Sequence, residues 1–249
     1  MVEQPQNGLV LVHASLEALF GAEKLSFIAG QLQEGTVVII KGAVNQEQTV
    51  ALRDQIVAWR RTLDVVDFSV NANAPGLNFH RVDAHPEKSL LPHLFHQHGF
   101  GDLPHLEPVL ASQLMQIATP MLKLQNAIAG TDYRFDMPEV RIKALQYPSG
   151  GGFLMKHTHP IEPQRAGLIL GLSQSGVDFK CGGTSFVTPQ GPVDTGPWHD
   201  AGDLILFRYD LEHAVGPVDP DDTLNWDSGA GRWTLVLELL GTHRRSEAA

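Results

Sequence analysis

The hydrophobic positions of this chain follow two different periods, one before and one after residue 139. Before that point the clearest pattern is helical: from Leu110 to Ile128 apolar residues recur every three or four positions, and Gly130 follows as a stop signal. This spacing predicts a helix. Pro120 lies inside it and is expected to kink it, because proline removes one backbone hydrogen bond and clashes with the preceding turn.

Two further helices and one strand are predicted in the same part of the chain. One helix is indicated by the spacing of Leu52, Ile56, Trp59 and Leu63, with Asn45 as its candidate N-cap. An earlier helix is expected near residues 15 to 33. Between the two, the run GTVVIIKG is typical of a buried strand. We therefore expect residues 1–135 to be mainly helical.

From Glu139 onward, short runs rich in valine, leucine, isoleucine and phenylalanine are separated by glycine, proline and aspartate. The separators recur about every eight to twelve residues, which is typical of a sandwich or barrel. No internal repeat or low-complexity block interrupts the chain. We therefore predict the α+β class and a single domain over residues 1–249, with N-terminal helices packed on a β-core formed by residues 136–243.

The stretch from Val66 to Pro104 fits neither pattern and carries five histidines: His80, His85, His93, His96 and His98. A long irregular segment in a compact domain is usually a functional loop or a disordered one. The part from His80 to His98 could therefore form a lid over a binding site, and an ordinary surface loop is the alternative.

Composition narrows the possible functions. The 249 residues are 43% hydrophobic, and the 28 acidic and 18 basic residues give a net charge of −10, which would repel a nucleic-acid backbone. The single cysteine, Cys181, cannot form an internal disulfide, and the N-terminus has no signal-peptide pattern. The apolar runs are shorter than the roughly 20 residues of a membrane helix. We expect a cytoplasmic protein with neither nucleic acid nor membrane as a partner; the oligomeric state stays open.

The stretch YPSGGGFLMKHTHP carries the most informative pair of residues. If it forms a strand, His157 and His159 point to the same face while Thr158 points to the other. Two imidazoles that converge on one point suggest a metal site. His213 offers a third imidazole from a sequentially distant strand.

The order of motifs after residue 139 resembles the iron(II) and 2-oxoglutarate dependent oxygenases, whose core is a double-stranded β-helix, a jelly-roll relative of the cupins. The resemblance covers about residues 139–241. A tyrosine and a glycine-rich strand lead to a first histidine, a Gly-Gly strand and a "GD…F" strand follow, and an arginine two residues before a threonine comes after the distal histidine. The matching residues are Tyr147, His157, Gly182, Gly183, Gly202, Asp203, Phe207, His213, Arg232 and Thr234.

The resemblance implies an enzyme that uses iron(II), 2-oxoglutarate and O2 to oxidise a C–H bond, by default through hydroxylation, with release of succinate and CO2. Arg232 and Thr234 share one strand face and can both bind the distal carboxylate of 2-oxoglutarate. Tyr147 is a further candidate for a hydrogen bond to this co-substrate. A small molecule is the expected substrate, and four residues are candidates for binding its anionic groups: His80, Arg81, Arg141 and Arg165.

The sequence departs from the family pattern at the metal site, where His159 stands in place of an expected Asp or Glu. Three explanations are open. The metal ligands are His157, His159 and His213; or Glu162 folds back after Pro160 to supply a carboxylate; or the site holds another metal such as zinc, which three histidines also bind. Direct replacement at the aligned position favours the first.

The other departure is a spacing of nineteen positions from His213 to Arg232, with DPDDTLNWDS as an apparent insertion. Two other classes of protein are alternatives: a cupin-like three-histidine dioxygenase or isomerase that does not use 2-oxoglutarate, and a non-catalytic barrel that binds a small molecule.

Overall fold

The structure is a computed structural model. It describes residues 1–63, 92–100 and 106–239 in full, and the backbone of the strands at 66–67 and 79–84. This part of the chain contains three α-helices and one sheet of fourteen strands. The helices are α1 (Ala22–Gln33), α2 (Gln46–Arg60) and α3 (Pro108–Ala129).

The strands fall into two groups along the chain. Six precede residue 100: β1 (Val2–Gln6), β2 (Leu9–His13), β3 (Val37–Lys41), β4 (Val66–Asp67), β5 (Phe79–Ala84) and β6 (His93–Gly99). Eight follow α3: β7 (Val140–Pro148), β8 (Gly152–His157), β9 (Ala166–Gly171), β10 (Thr184–Thr188), β11 (Gly191–Asp194), β12 (Leu204–Arg208), β13 (Glu212–Val218) and β14 (Gly231–Leu239).

The predicted helix boundaries are confirmed where the sequence carries a capping signal. The Asn45 side chain accepts hydrogen bonds from the backbone of Glu47 and Gln48 at 2.8 and 3.3 Å, as an N-cap does. Gly130 ends α3 in the left-handed conformation, with φ of 67°. The first helix differs from the prediction, because a short 3-10 turn comes first and Gly21 is extended, so that α1 begins only at Ala22.

The β-core predicted after residue 139 is present, and the N-terminal part adds strands to the same sheet. β14 pairs with β7 over nine consecutive positions, and β9 lies between β14 and β12. Beyond β12 the sheet continues into β3, which β2 joins in parallel. The predicted strand GTVVIIKG is thus confirmed as β3. The sequence analysis missed β1 and β2.

The helices cover one face of this sheet. Trp233, Leu235 and Leu237 of β14 pack with Leu114 and Met121 of α3 in the main hydrophobic core. Alternate residues of β14, including Arg232 and Thr234, therefore point to the opposite, inner face of the sheet. Among the described residues, no helix is both long enough and apolar enough to cross a membrane.

The lid expected from the histidine-rich segment is wrong for residues 93–99. They form β6, which lies between β7 and β8 in the sheet. His96 and His98 are buried there. The side chains of residues 80–91, the rest of the expected lid, lie outside the described residues.

Candidate active site

The three histidines singled out in the sequence come together in the structure. His213 of β13 and His157 of β8 are directly opposite each other in the antiparallel register, so their side chains share one face. His159 follows two residues later. One ring nitrogen from each of the three lies within 4.8 Å of the other two. Among the described residues, this is the group of histidine, cysteine or acidic side chains that could hold a metal ion.

Hydrogen bonds orient two of these imidazoles. Nδ1 of His157 lies 2.9 Å from the carbonyl oxygen of Met155, and Nδ1 of His213 lies 2.9 Å from that of Leu211. A carbonyl only accepts, so each Nδ1 carries the hydrogen and Nε2 is the nitrogen that can bind a metal. Burial, and then the neighbouring His157, lower the pKa of His213 to about 3. The buried His213 is therefore neutral, as a metal ligand must be.

His159 is held differently. The regular strand predicted for this stretch ends at His157, so His159 lies beyond the ladder. Its ring stacks on that of Tyr209, with centroids 4.4 Å apart and planes at 10°. Tyr209 is buried, and burial together with the Glu238 carboxylate raises the pKa of its hydroxyl well above the ordinary value. The sequence analysis did not single out Tyr209.

The alternative third ligand, Glu162, is not part of this group. Its side chain is exposed, and Oε1 forms an ion pair with Nε of Arg165 at 2.9 Å. Arg165 also donates a hydrogen bond to the carbonyl of Ala129 at 3.1 Å. Arg165, a candidate for binding the substrate in the sequence analysis, therefore lies against the end of α3 and is absent from the walls of the cavity described below.

A cavity extends from the histidines into the barrel. Its empty volume is about 620 Å³, counting the solvent at its mouth. The three histidines line it together with Tyr147, Thr184, Arg232 and Thr234, and its apolar walls include Leu154, Phe207 and Val215. The structure thus brings the predicted metal ligands and the predicted co-substrate residues to one interior space.

Arg232 is the most unusual residue of this cavity, because its side chain is charged and its residue is only 3% exposed. Nη2 donates to Oγ1 of Thr184 at 2.8 Å and lies 3.4 Å from Nδ1 of His199. None of the ion pairs in the described part of the chain includes it, although the more distant Asp194 acts on it electrostatically. Burial lowers the pKa of the guanidinium to about 10, so it stays charged at neutral pH. This end of the cavity offers a buried cation to an incoming anion.

His199 and Thr184 hold Arg232, and neither was singled out in the sequence. Nε2 of His199 lies 3.0 Å from the carbonyl oxygen of Asp203, so Nε2 carries the hydrogen and Nδ1 can accept from Arg232. Burial, and then the charge of Arg232, lower the pKa of His199 to about 3. Position gives a weak signal in retrospect: Thr184 directly follows the Gly-Gly pair.

The remaining predicted site residues divide into two groups. Tyr147 pairs with Arg232 across β7 and β14, and its ring lies 5.9 Å from the guanidinium carbon. Burial raises the pKa of the Tyr147 hydroxyl to about 12. Arg141 is half-buried on β7 but does not line the cavity. The side chains of His80 and Arg81, on β5, lie outside the described residues.

Three solved structures have a similar fold. A Pseudomonas putida prolyl-4-hydroxylase is 15% identical over 86% of this chain and 98% of its own, with a TM-score of 0.56. A full-length Neurospora crassa protein solved in complex with α-ketoglutarate is 15% identical over 95% and 86%, with a TM-score of 0.57. A prolyl hydroxylase from Trichoplax adhaerens, in complex with a peptide fragment of hypoxia inducible factor, is 14% identical over 91% and 93%, with a TM-score of 0.57.

Neither a family model nor a curated protein matches the chain by sequence. At this level of identity the structural likeness establishes the fold. The chain has the double-stranded β-helix fold of the iron(II) and 2-oxoglutarate dependent oxygenases, which confirms the fold class predicted from the sequence.

Proposed function

We propose that this protein is a non-haem iron(II), 2-oxoglutarate dependent dioxygenase that oxidises, most simply hydroxylates, a C–H bond of a small molecule and releases succinate and CO2. One observation carries the proposal. Three histidine nitrogens lie within 4.8 Å of one another on a cavity that also contains Arg232, a buried cation without an ion pair in the described part of the chain.

The histidines suit a divalent transition metal. Imidazole is a favoured ligand of iron and zinc, and the hydrogen bonds at Nδ1 leave Nε2 of His157 and His213 as the metal-binding nitrogens. Two nitrogens at about 2.1 Å from one ion lie roughly 3 to 4 Å apart, so side-chain rotation of about 1 Å would bring the set to bonding distance. His159 therefore completes a neutral set of three ligands in place of the usual two histidines and a carboxylate.

The other residues of the cavity suit 2-oxoglutarate. This molecule is a dianion, and Arg232 would bind its distal carboxylate through charge-assisted hydrogen bonds. Thr234 lies two residues further along the same face of β14 and lines the same cavity. The neighbour that was solved with α-ketoglutarate has this fold, which supports the same co-substrate here.

Each group of residues then has a distinct task. Iron(II), when bound together with 2-oxoglutarate, supplies the oxidising chemistry towards O2 and an unactivated C–H bond. His157, His159 and His213 would hold the ion. Thr184 and His199 keep the Arg232 guanidinium in place through their hydrogen bonds. The apolar side chains of the wall exclude water from the reacting atoms.

A second candidate is a three-histidine metal enzyme that does not use 2-oxoglutarate, as in some cupin-like proteins. The absence of a carboxylate from the histidine group favours it. It leaves the buried Arg232 without a role, because a charge in the interior of a protein is costly unless a ligand compensates it. We therefore prefer the 2-oxoglutarate dependent reaction.

Metal binding and co-substrate turnover separate these functions. The full chain is purified without metal, titrated anaerobically with iron(II) and then with 2-oxoglutarate by calorimetry, and exposed to O2 while succinate is measured. We expect about one iron(II) per chain, tighter 2-oxoglutarate binding when iron is present, and succinate formation that His157→Ala abolishes. Iron binding without any 2-oxoglutarate binding would support the cupin-like enzyme, and the absence of both would support a non-catalytic barrel.

A further inference from the structure

We infer that Tyr209 is the positioning residue for the third imidazole of the metal site: its buried ring fixes the plane of His159. The inference rests on the proposed function, because it concerns the same three histidines. It goes beyond that proposal by explaining how a residue outside the strand ladder can be a third ligand.

His159 needs support of a kind that the other two histidines do not. His157 and His213 are paired across β8 and β13, and each Nδ1 donates to a backbone carbonyl two residues earlier. His159 lies two residues beyond the end of β8. The Tyr209 ring lies parallel to its imidazole and covers one face of it.

Tyr209 is itself well fixed. It is only 4% exposed and packs in a small inner core with Phe207 and Leu211. Its backbone N–H donates to the carbonyl of Arg165 at 3.0 Å. Because the connection from His159 to Arg165 belongs to the same segment, Tyr209 holds this segment at two points, one through its ring and one through its backbone.

The geometry of the contact says which part of Tyr209 matters. With planes at 10° and centroids 4.4 Å apart, the imidazole is held face to face. A face contact restrains the tilt of the ring and leaves both nitrogens, which lie at the ring edge, able to meet a metal. The flat ring is therefore the required feature, and the hydroxyl is not. Tyr209→Phe should keep the effect, whereas a non-planar side chain should lose it.

Cobalt(II) titration of the full chain tests this inference. Affinity is measured by calorimetry, and the visible absorption of bound cobalt(II) reports its coordination. Tyr209→Phe should stay within about twofold of the unmodified protein. Tyr209→Leu should weaken binding by about 10- to 100-fold, the usual loss when a group that supports a metal ligand is removed. Its cobalt spectrum should become that of His159→Ala.

A double variant shows whether Tyr209 acts through His159. If it does, Tyr209→Leu should cost nothing more in a His159→Ala background, so the two losses should not add. Tyr133→Leu, which changes a partly buried tyrosine on the main core, is the matched control and should bind cobalt like the unmodified protein. Tyr209→Met fills a similar volume without a flat face and replaces Tyr209→Leu if that variant does not fold.

Two results would overturn the inference alone: unchanged cobalt affinity and spectrum in Tyr209→Leu or Tyr209→Met, or fully additive losses in the double variant. Failure of the unmodified protein to bind cobalt(II), or an unchanged affinity in His159→Ala, would overturn the three-histidine site of the proposed function and this inference with it.

Discussion

Replacing Arg232 by methionine should separate a binding role from a structural one. Methionine has a similar length and no charge, so Arg232→Met removes the buried guanidinium with little change of volume. Burial lowers the pKa of Arg232 from 12.5 to about 10, which corresponds to a cost of about 3 kcal/mol for the charged form. The two hydrogen bonds lost, to Thr184 and His199, are worth about 1 to 1.5 kcal/mol each. Without ligand, the two effects nearly cancel.

The same substitution should have a large effect on co-substrate binding. A hydrogen-bonded charge pair with the distal carboxylate is worth about 3 kcal/mol, which is roughly a hundredfold in affinity. At a 2-oxoglutarate concentration about 100 times its Kd, the unmodified protein gains about 2.7 kcal/mol of stability from the ligand. A variant that binds about a hundredfold more weakly gains only about 0.4 kcal/mol at that concentration.

Denaturant unfolding under anaerobic conditions, with iron(II) present and with or without 2-oxoglutarate, measures both quantities. Arg53→Met is the matched control, because Arg53 has the protein carboxylate partners Asp54 and Asp178. That control should lose stability and keep its response to 2-oxoglutarate. An Arg232→Met protein that unfolds several kcal/mol more easily without ligand, or that still responds fully to 2-oxoglutarate, would show that the arginine serves the fold.

Two further predictions concern the metal ligands and the support of Arg232. In calorimetric iron(II) titrations, His159→Ala should lower the affinity by about 10- to 100-fold and Glu162→Gln should not; the reverse would show an ordinary triad with a carboxylate. His199 has a pKa lowered to about 3, so its contribution to stability is complete above about pH 6.5 and is lost as the pH falls towards 3, by about 1.4 kcal/mol per unit. Denaturant unfolding at pH 7, 6 and 5 should show this slope, and His199→Gln should reduce it; an equal slope in that variant would contradict the assignment.

Local signals in the sequence predicted the helices and most of the β-core. The Asn45 cap, the Gly130 stop and the apolar period of α3 act within a few residues, and the structure confirms each one. The run from Leu9 to Val12 was missed as a strand because four apolar residues in a row carry no period. Only its parallel pairing with β3 makes it one.

The candidate site was predictable where family-like order marks it and not where sheet closure creates it. His157 and His213 have such an order, and their cross-strand pairing follows from the fold. Tyr209 and His199 act through contacts with His159 and Arg232, residues 50 and 33 positions away in the chain. No local pattern records contacts of this kind, because they depend on which strands become neighbours.

The charges of the cavity suggest why a site without a carboxylate ligand can still suit this chemistry. Glu238 is the acidic residue among the side chains that line it, and an ion pair with Lys143 balances its charge. Three neutral imidazoles and Arg232 then leave the ligand-free cavity with a positive charge before any metal is bound. A divalent ion would raise that charge further, so its binding is favoured most when the dianion 2-oxoglutarate is present. Since coupling between two ligands is reciprocal, iron(II) should tighten 2-oxoglutarate binding by the same factor. The positively charged cavity thus makes the co-substrate the source of the negative charge that a carboxylate ligand would otherwise supply.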